Sequence, residues 1–291
     1  MGTTKIAAIR RRFHEELERS IVRWIKKGQR RYPNFADGAS KSSVAIAYVL
    51  CGLLGFPHST DKIDSQTVGR HFEEVVYQFL CQAFATLEHL RPGDWEYQTS
   101  RCDIAQFVQY RHLEELERLV KQNAELKNAL GLDYLVSPDI VVARMPVEDV
   151  EINRKGIVVL PDDNRTAAST PLRKANHKNG VHPILHAVIS CKWTIRSDRS
   201  QNTRTEALSL IRLRKGHMPH IVAVVAEPLP TRIASLAMGT GDLDCVYHIA
   251  LPELEEACRK CQLDDQLEML TQLREGNRLR DVSDLPFDLA T

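Results

Sequence analysis

The run Leu185-His186-Ala187-Val188-Ile189-Ser190-Cys191-Lys192-Trp193, continued by Thr194-Ile195-Arg196-Ser197-Asp198-Arg199, decides how this chain is read. Its first nine residues are almost continuously apolar, as expected of a strand covered on both faces of a sheet. Side chains alternate along a strand, so Ser190 and Lys192 share a face near its end. Working outward, residues 139–143, 220–226 and 244–249 carry the same short apolar, β-branched signal. Residues 202–214, between the strand ending at Trp193 and the strand over 220–226, read as a helix. The fold class is therefore α/β, with a central sheet flanked by helices.

Towards the start of the chain, residues 5–28 read as a basic amphipathic helix with a solvated basic face and Gly28 as its stop. A loop of small polar residues over 32–43 leads into an apolar helix over 44–54. The stretch 66–89 carries a broad apolar stripe at helical spacing, which places Glu73 between Leu80 and Phe84 and turns Glu74 away. Glu73 is thus expected at the edge of a buried face. Residues 104–130 read as a second helical stretch in a peripheral layer, and 146–183 as an excursion between core strands. One domain over 1–291 is expected, with its core at about 66–250 and peripheral helices at both ends, including 251–275.

The net charge of +1 hides an asymmetry. Residues 196–217 hold six Lys/Arg against two acids, whereas 241–291 hold twelve acids against five Lys/Arg, so a surface for polyanions should be local. Seven cysteines, odd in number and set in apolar stretches, point to a reduced, cytoplasmic protein without a disulfide framework. Zinc at Cys258 and Cys261 would need two further ligands at matching spacing, and Pro183 spoils the helical spacing of His182 and His186. No apolar run is long enough to span a membrane, and no signal-peptide core follows the first residues.

Hydrolysis of a phosphodiester calls for carboxylates that hold a divalent cation beside the phosphate, and for a nearby cation to position water. Pro138-Asp139 opens one strand and Lys192 lies near the end of another. This resembles the widespread PD-(D/E)xK nuclease motif, with one departure: the acid expected two residues before the lysine is Ser190. A hydroxyl is a poor substitute at Mg²⁺, so the charge must come from elsewhere, and Glu206 on the following helix can supply it.

That displaced arrangement resembles the CCGG family of type II restriction endonucleases. The likeness runs through Ala36-Asp37-Gly38, Gln66-Thr67 with Phe72-Glu73, residues 89–95, Pro138-Asp139-Ile140, residues 189–199, and Gly239-Thr240-Gly241 with His248. The resemblance implies a restriction-endonuclease-like core and a catalytic set of Asp139, Lys192, Glu206 and Glu73, with Ser190 at the vacated acid position. It implies two Mg²⁺ bound by Asp139, the Cys191 carbonyl, Glu206 and Glu73, and cleavage leaving a 5′-phosphate and a 3′-hydroxyl.

Arginine can bond bidentately to guanine and aspartate can accept from cytosine, so a turn carrying Arg196, Asp198 and Arg199 could read neighbouring G and C bases. The resemblance assigns that turn to the CCGG core, Asp37 and Arg232 to an outer base pair, and Gln66 to the minor groove, which together spell GCCGGC. Arg204, Arg212, Arg214 and Lys215 are expected at phosphates. A palindromic site in double-stranded DNA implies at least a homodimer, and enzymes of this resemblance form homotetramers that bind two DNA copies. A repair or recombination nuclease selecting DNA structure would not need Arg196, Asp198 and Arg199 in a groove. A non-catalytic DNA-binding derivative would be favoured by loss of Asp139 or Lys192, and both are present.

Overall fold

A computed structural model describes residues 2–57, 64–99, 102–123, 136–163, 165–178, 180–195, 197–239 and 241–291, with backbone alone at 65 and 197–200. The fold is mixed α/β. Six strands form one sheet in the order β3-β4-β5-β6-β7-β8: β3 (Trp95–Thr99), β4 (Ile140–Arg144), β5 (Ile184–Lys192), β6 (His220–Val225), β7 (Cys245–His248) and β8 (Leu279–Asp281). β3 and β4 pair antiparallel, while β6, β7 and β8 run parallel, so the sheet is mixed. Residues 185–191 of β5 are all buried, and Lys192 at its end is half-buried. The continuous apolar run thus forms a strand covered on both faces, as its composition dictates.

The chain divides into two compact units, one of residues 1–91, 189–208 and 221–291, the other of 92–188 and 209–220. In the first, helix α1 (Lys5–Ser20) packs on α3 (Ser65–Ala85), with Phe13 and Phe79 rings 5.0 Å apart. Helix α2 (Lys41–Leu54) is capped by the Ser40 side chain and closed by Gly55 at φ 72°, a left-handed position that glycine occupies without strain. The Asp64 carboxylate accepts from the N–H groups of Gln66 and Thr67 and so starts α3.

Four expectations need correction. The basic helix ends at Ser20 rather than running to Gly28, and a hairpin follows, β1 (Trp24–Lys27) with β2 (Arg30–Pro33). Gly28, at φ 62°, is the first central residue of its two-residue turn, where a type II′ turn needs glycine. Nor is the α1 face wholly solvated: Arg10 forks onto both Asp281 and Glu253, with four contacts between 2.6 and 2.9 Å. Glu253 lies on α8 (Leu251–Lys260), which precedes α9 (Asp264–Glu275).

In the second unit, 104–130 is not one peripheral helix. A 3-10 turn at Ile104–Gln106 and helix α4 (His112–Gln122) flank an irregular stretch, and Ile104, Phe107, Tyr110 and Leu113 are fully buried. The break has a purpose in hydrogen bonding: the buried Gln109 amide donates to Leu185 O at 2.7 Å and accepts from Leu185 N at 3.0 Å, standing in for a strand partner. Residues 124–135 lie outside the described residues. The excursion holds a short helix, α5 (Asp149–Ile152), and a bridge from Val147 to Arg173. Finally, helix α6 spans Ser197–Leu213, so residues 197–199 belong to its first turn and not to a free turn. Ser197 and Asp198 are residues that helix N-termini favour, which the sequence reading did not use.

Candidate active site

Trp193 fixes the end of the catalytic-looking strand. Its indole, 5% exposed, meets Phe35 edge-on at 5.6 Å and Phe72 at 5.2 Å. Each such ring pair contributes about 0.5–1.5 kcal/mol beyond area burial. The consequence is positional, because Lys192, Asp37 and Glu73 lie one, two and one residues from these three rings. Strand end, loop and helix are locked together at their apolar neighbours while their charged residues face outward.

Those residues line one cleft of about 1900 Å³ within the first unit, together with Cys191, Glu206, Gln66 and Arg232. Glu73 is half-buried on α3 while Glu74 is exposed, in keeping with the helical wheel. Glu206 is half-buried on α6, and Gln66 is exposed in the first turn of α3. Asp37 is held in its loop by its own N–H to Ser43 Oγ at 2.9 Å and by its Oδ1, which accepts from Ala39 N–H at 2.9 Å. Gly38 beside it has no room for a side chain, since an added Cβ would lie 2.3 Å from Tyr32 Oη. Helix α7 (Pro230–Ala237) presents Arg232, which donates to Asp37 Oδ2.

Arg23, Lys26, Arg31, Lys192, Arg70, Arg204 and Arg232 line this cleft against the acids Asp37, Glu73 and Glu206. The surplus of cations is the local basic surface that the net charge of +1 concealed. Two of its cations, Lys26 and Arg31, come from the hairpin, whose first strand alone falls within the helix expected over 5–28; the signal is Lys26-Lys27 and Arg30-Arg31 around Gly28. Arg204 is drawn onto the buried Asp242 at 2.9 Å, so its expected phosphate contact would compete with an ion pair.

The other assigned residues are placed as follows. Ser190 is 8% exposed in β5 and does not line the cleft. Asp139 lies in the second unit, half-buried, one residue ahead of the fully buried start of β4. Arg196 lies outside the described residues, and Asp198 and Arg199 are placed by backbone only, in α6.

Among the described residues, no three His, Cys, Asp or Glu side chains converge as a ready-made metal cage. Glu73 and Glu206 nevertheless bring two hard carboxylates to one cleft, and Cys191 adds a backbone carbonyl there. Mg²⁺ suits such a donor set, because it keeps several waters and takes one or two carboxylates plus phosphate oxygens. Cys258 is buried, and His186 packs between Trp95 and His220.

One residue that the sequence reading missed is Glu227, 1% exposed just after β6. Burial pushes its carboxyl up to about 7, against hydrogen bonds from the N–H groups of Ile195 and Leu229 and the charge of Arg232. Its signal was a lone acid ending the apolar run 220–226.

A family model described as NgoMIV restriction enzyme matches residues 13–291. The Type II restriction enzyme NgoMIV of Neisseria gonorrhoeae is 44% identical over 285 residues, covering 97% of this chain and 97% of that protein. With a match of that extent lying over a cleft that gathers acids, a lysine and a surplus of arginines, the chain belongs to the NgoMIV restriction enzyme family.

Proposed function

We propose that this type II restriction endonuclease cuts both strands of DNA at the palindrome GCCGGC, with Mg²⁺ as its divalent ion and 5′-phosphate and 3′-hydroxyl ends as products. Restriction enzymes of type II generally use divalent metal ions, and a site-specific deoxyribonuclease acts on DNA. The observation that carries the finer reading is the single cleft in which Glu73, Glu206, Cys191 and Lys192 meet Asp37, Gln66 and Arg232. Cutting and reading groups must share one frame if a fixed bond is to be broken at a fixed sequence.

In this reading Glu73, Glu206, Asp139 and the Cys191 carbonyl would hold two metal ions, which would supply positive charge to offset the negative charge developing at the phosphate in an in-line displacement. Lys192 orients the attacking water and offsets negative charge on the phosphate, and Ser190, buried beside it, takes no metal. Arg196, together with Asp198 and Arg199 of the first turn of α6, reads the CCGG core in the major groove; Arg232 and Asp37 take the outer pair, and Gln66 the minor groove. The remaining cations of the cleft meet phosphates, which makes affinity fall with salt.

The assembly proposed is a homotetramer of two dimers, each dimer reading one palindrome. Support comes from the excursion, where Val150, Ile157, Val158 and Leu160, close together in sequence, are 84%, 82%, 67% and 55% exposed and so available to a second copy.

Replacing Lys192 or Asp139 by Ala tests the chemistry. Cleavage of a GCCGGC duplex in Mg²⁺ should disappear in both variants while melting temperature and binding of that duplex persist. Full activity in either variant would contradict the assignment.

A further inference from the structure

Glu227 places a carboxyl where, once ionised, it survives only with donors around it. Oε2 accepts from the N–H of Ile195 at 2.9 Å, and Oε1 from the N–H of Leu229 at 3.2 Å. Ile195 directly precedes Arg196, and Leu229 is the N-cap of α7, three residues before Arg232. One side chain therefore spans two segments that lie more than 30 residues apart in sequence, as the separation of 32 from Ile195 shows.

We propose that Glu227 is a positioning residue for sequence reading: its two oxygens hold the segment entering Arg196–Arg199 and the start of the helix carrying Arg232 in one register, so that core and outer base pairs are read together. The proposal rests on the assignment of those residues to bases made above. It requires the ionised form, because each oxygen takes one N–H. An amide turns its NH2 towards one of the two N–H groups and releases that segment, and a protonated carboxyl leaves one of them only the weaker hydroxyl acceptor.

Among the described residues, the charges acting on the Glu227 carboxyl are Arg232 on α7, which favours ionisation, and Asp37 from its loop, which opposes it, while His248 on β7 meets the Glu227 backbone. Full burial pushes His248 down to about 4, so it stays neutral where Glu227 titrates near 7. For stability the sign is unfavourable. A carboxyl raised on folding binds its proton more tightly in the folded chain, so the stability it contributes is present below the usual carboxylate range and lost as pH rises through 7. An ionised Glu227 thus costs the fold stability at alkaline pH, which a residue serving packing alone would not require.

The test is single-turnover cleavage in Mg²⁺ of a GCCGGC duplex and of a duplex with one outer base pair exchanged, between about pH 6 and about pH 8, across the titration of this carboxyl. The ratio of the two rates cancels the pH dependence of the chemical step common to both. Wild-type discrimination should rise about 10-fold across that window, as the ionised fraction of a carboxyl near 7 climbs from about one-tenth to about nine-tenths. Glu227→Gln should stay at the low ratio throughout, with unchanged circular dichroism and no fall in Tm at the alkaline end. A Glu227→Gln ratio that matches wild type in size and pH course overturns the proposal. If Glu227→Gln does not fold, the wild-type profile decides, and a flat ratio overturns it. A wild-type enzyme with no preference for GCCGGC at any pH overturns the assignment of bases itself, and is visible without any variant.

Discussion

The Asp37–Arg232 pair joins two side chains that are each about one-third exposed, at 31% and 34%, so it sits within reach of a ligand and not in the core. An ion pair so placed contributes little to stability, about 0–1 kcal/mol, yet it keeps the guanidinium extended and its fork aimed. Arg232→Ala should therefore leave Tm nearly unchanged while cutting the preference for G·C at the outer pair by about 1–3 kcal/mol, the value of one bidentate contact. Rates on GCCGGC and ACCGGT duplexes measure this, and an unaltered ratio would remove Arg232 from base reading. Strand alternation places Lys192 and helical period places Glu73 at the edge of an apolar face, whereas Glu206 is singled out only as an acid on the helix after the strand, where Ser190 leaves a carboxylate wanting. Glu227 was not legible. Its role depends on backbone N–H groups of Ile195 and Leu229, and no local pattern announces which distant backbone a buried acid will meet.

Among elements, the four strands at 140–144, 184–192, 220–225 and 245–248 announced themselves through continuous apolar runs that only a covered sheet accommodates. The ones missed are short or partly exposed: β1 and β2, β3 with its intermediate burial, and the three-residue β8. Trp24-Ile25 continued the helical spacing of α1, and only the glycine turn at Gly28 betrays the hairpin. Helix α1 is tied to α8 and β8 through Arg10, whose guanidinium is raised by its bonds to Glu253 and Asp281 despite burial that alone would lower it. Burial pushes the Glu253 and Asp281 carboxyls up, but Arg10 more than offsets this and holds both below the usual carboxylate range. Such depressed carboxylates stabilise the fold above their unfolded pKa, and that contribution is lost as pH falls through their folded values. Arg10→Ala, which leaves two acids facing each other part-buried, should cost about 3 kcal/mol at neutral pH. The deficit, read by urea unfolding, should shrink as pH drops below the carboxylate range; a deficit independent of pH would mean that Arg10 acts through packing alone.

Over the whole molecule, a net charge of +1 says almost nothing about partners, whereas one cleft with seven Lys/Arg against three acids says where a polyanion would sit. None of the described helices is long and apolar enough to cross a membrane. The exposed Val150 and Ile157 bear on the assembly proposed above, since burying them against a second copy would remove them from water. Val150→Lys with Ile157→Lys should reduce the tetramer to dimers in light scattering while single-site cleavage persists; a tetramer that survives both substitutions would place its contacts elsewhere. The central claim is that one cleft reads GCCGGC and cuts within it. Digestion of a plasmid of known sequence, with Mg²⁺ or with EDTA, followed by sequencing of the ends, tests it most directly. Discrete fragments whose ends all fall in GCCGGC, formed only with Mg²⁺, are the predicted result; ends scattered among sequences, or cleavage that persists in EDTA, would contradict it.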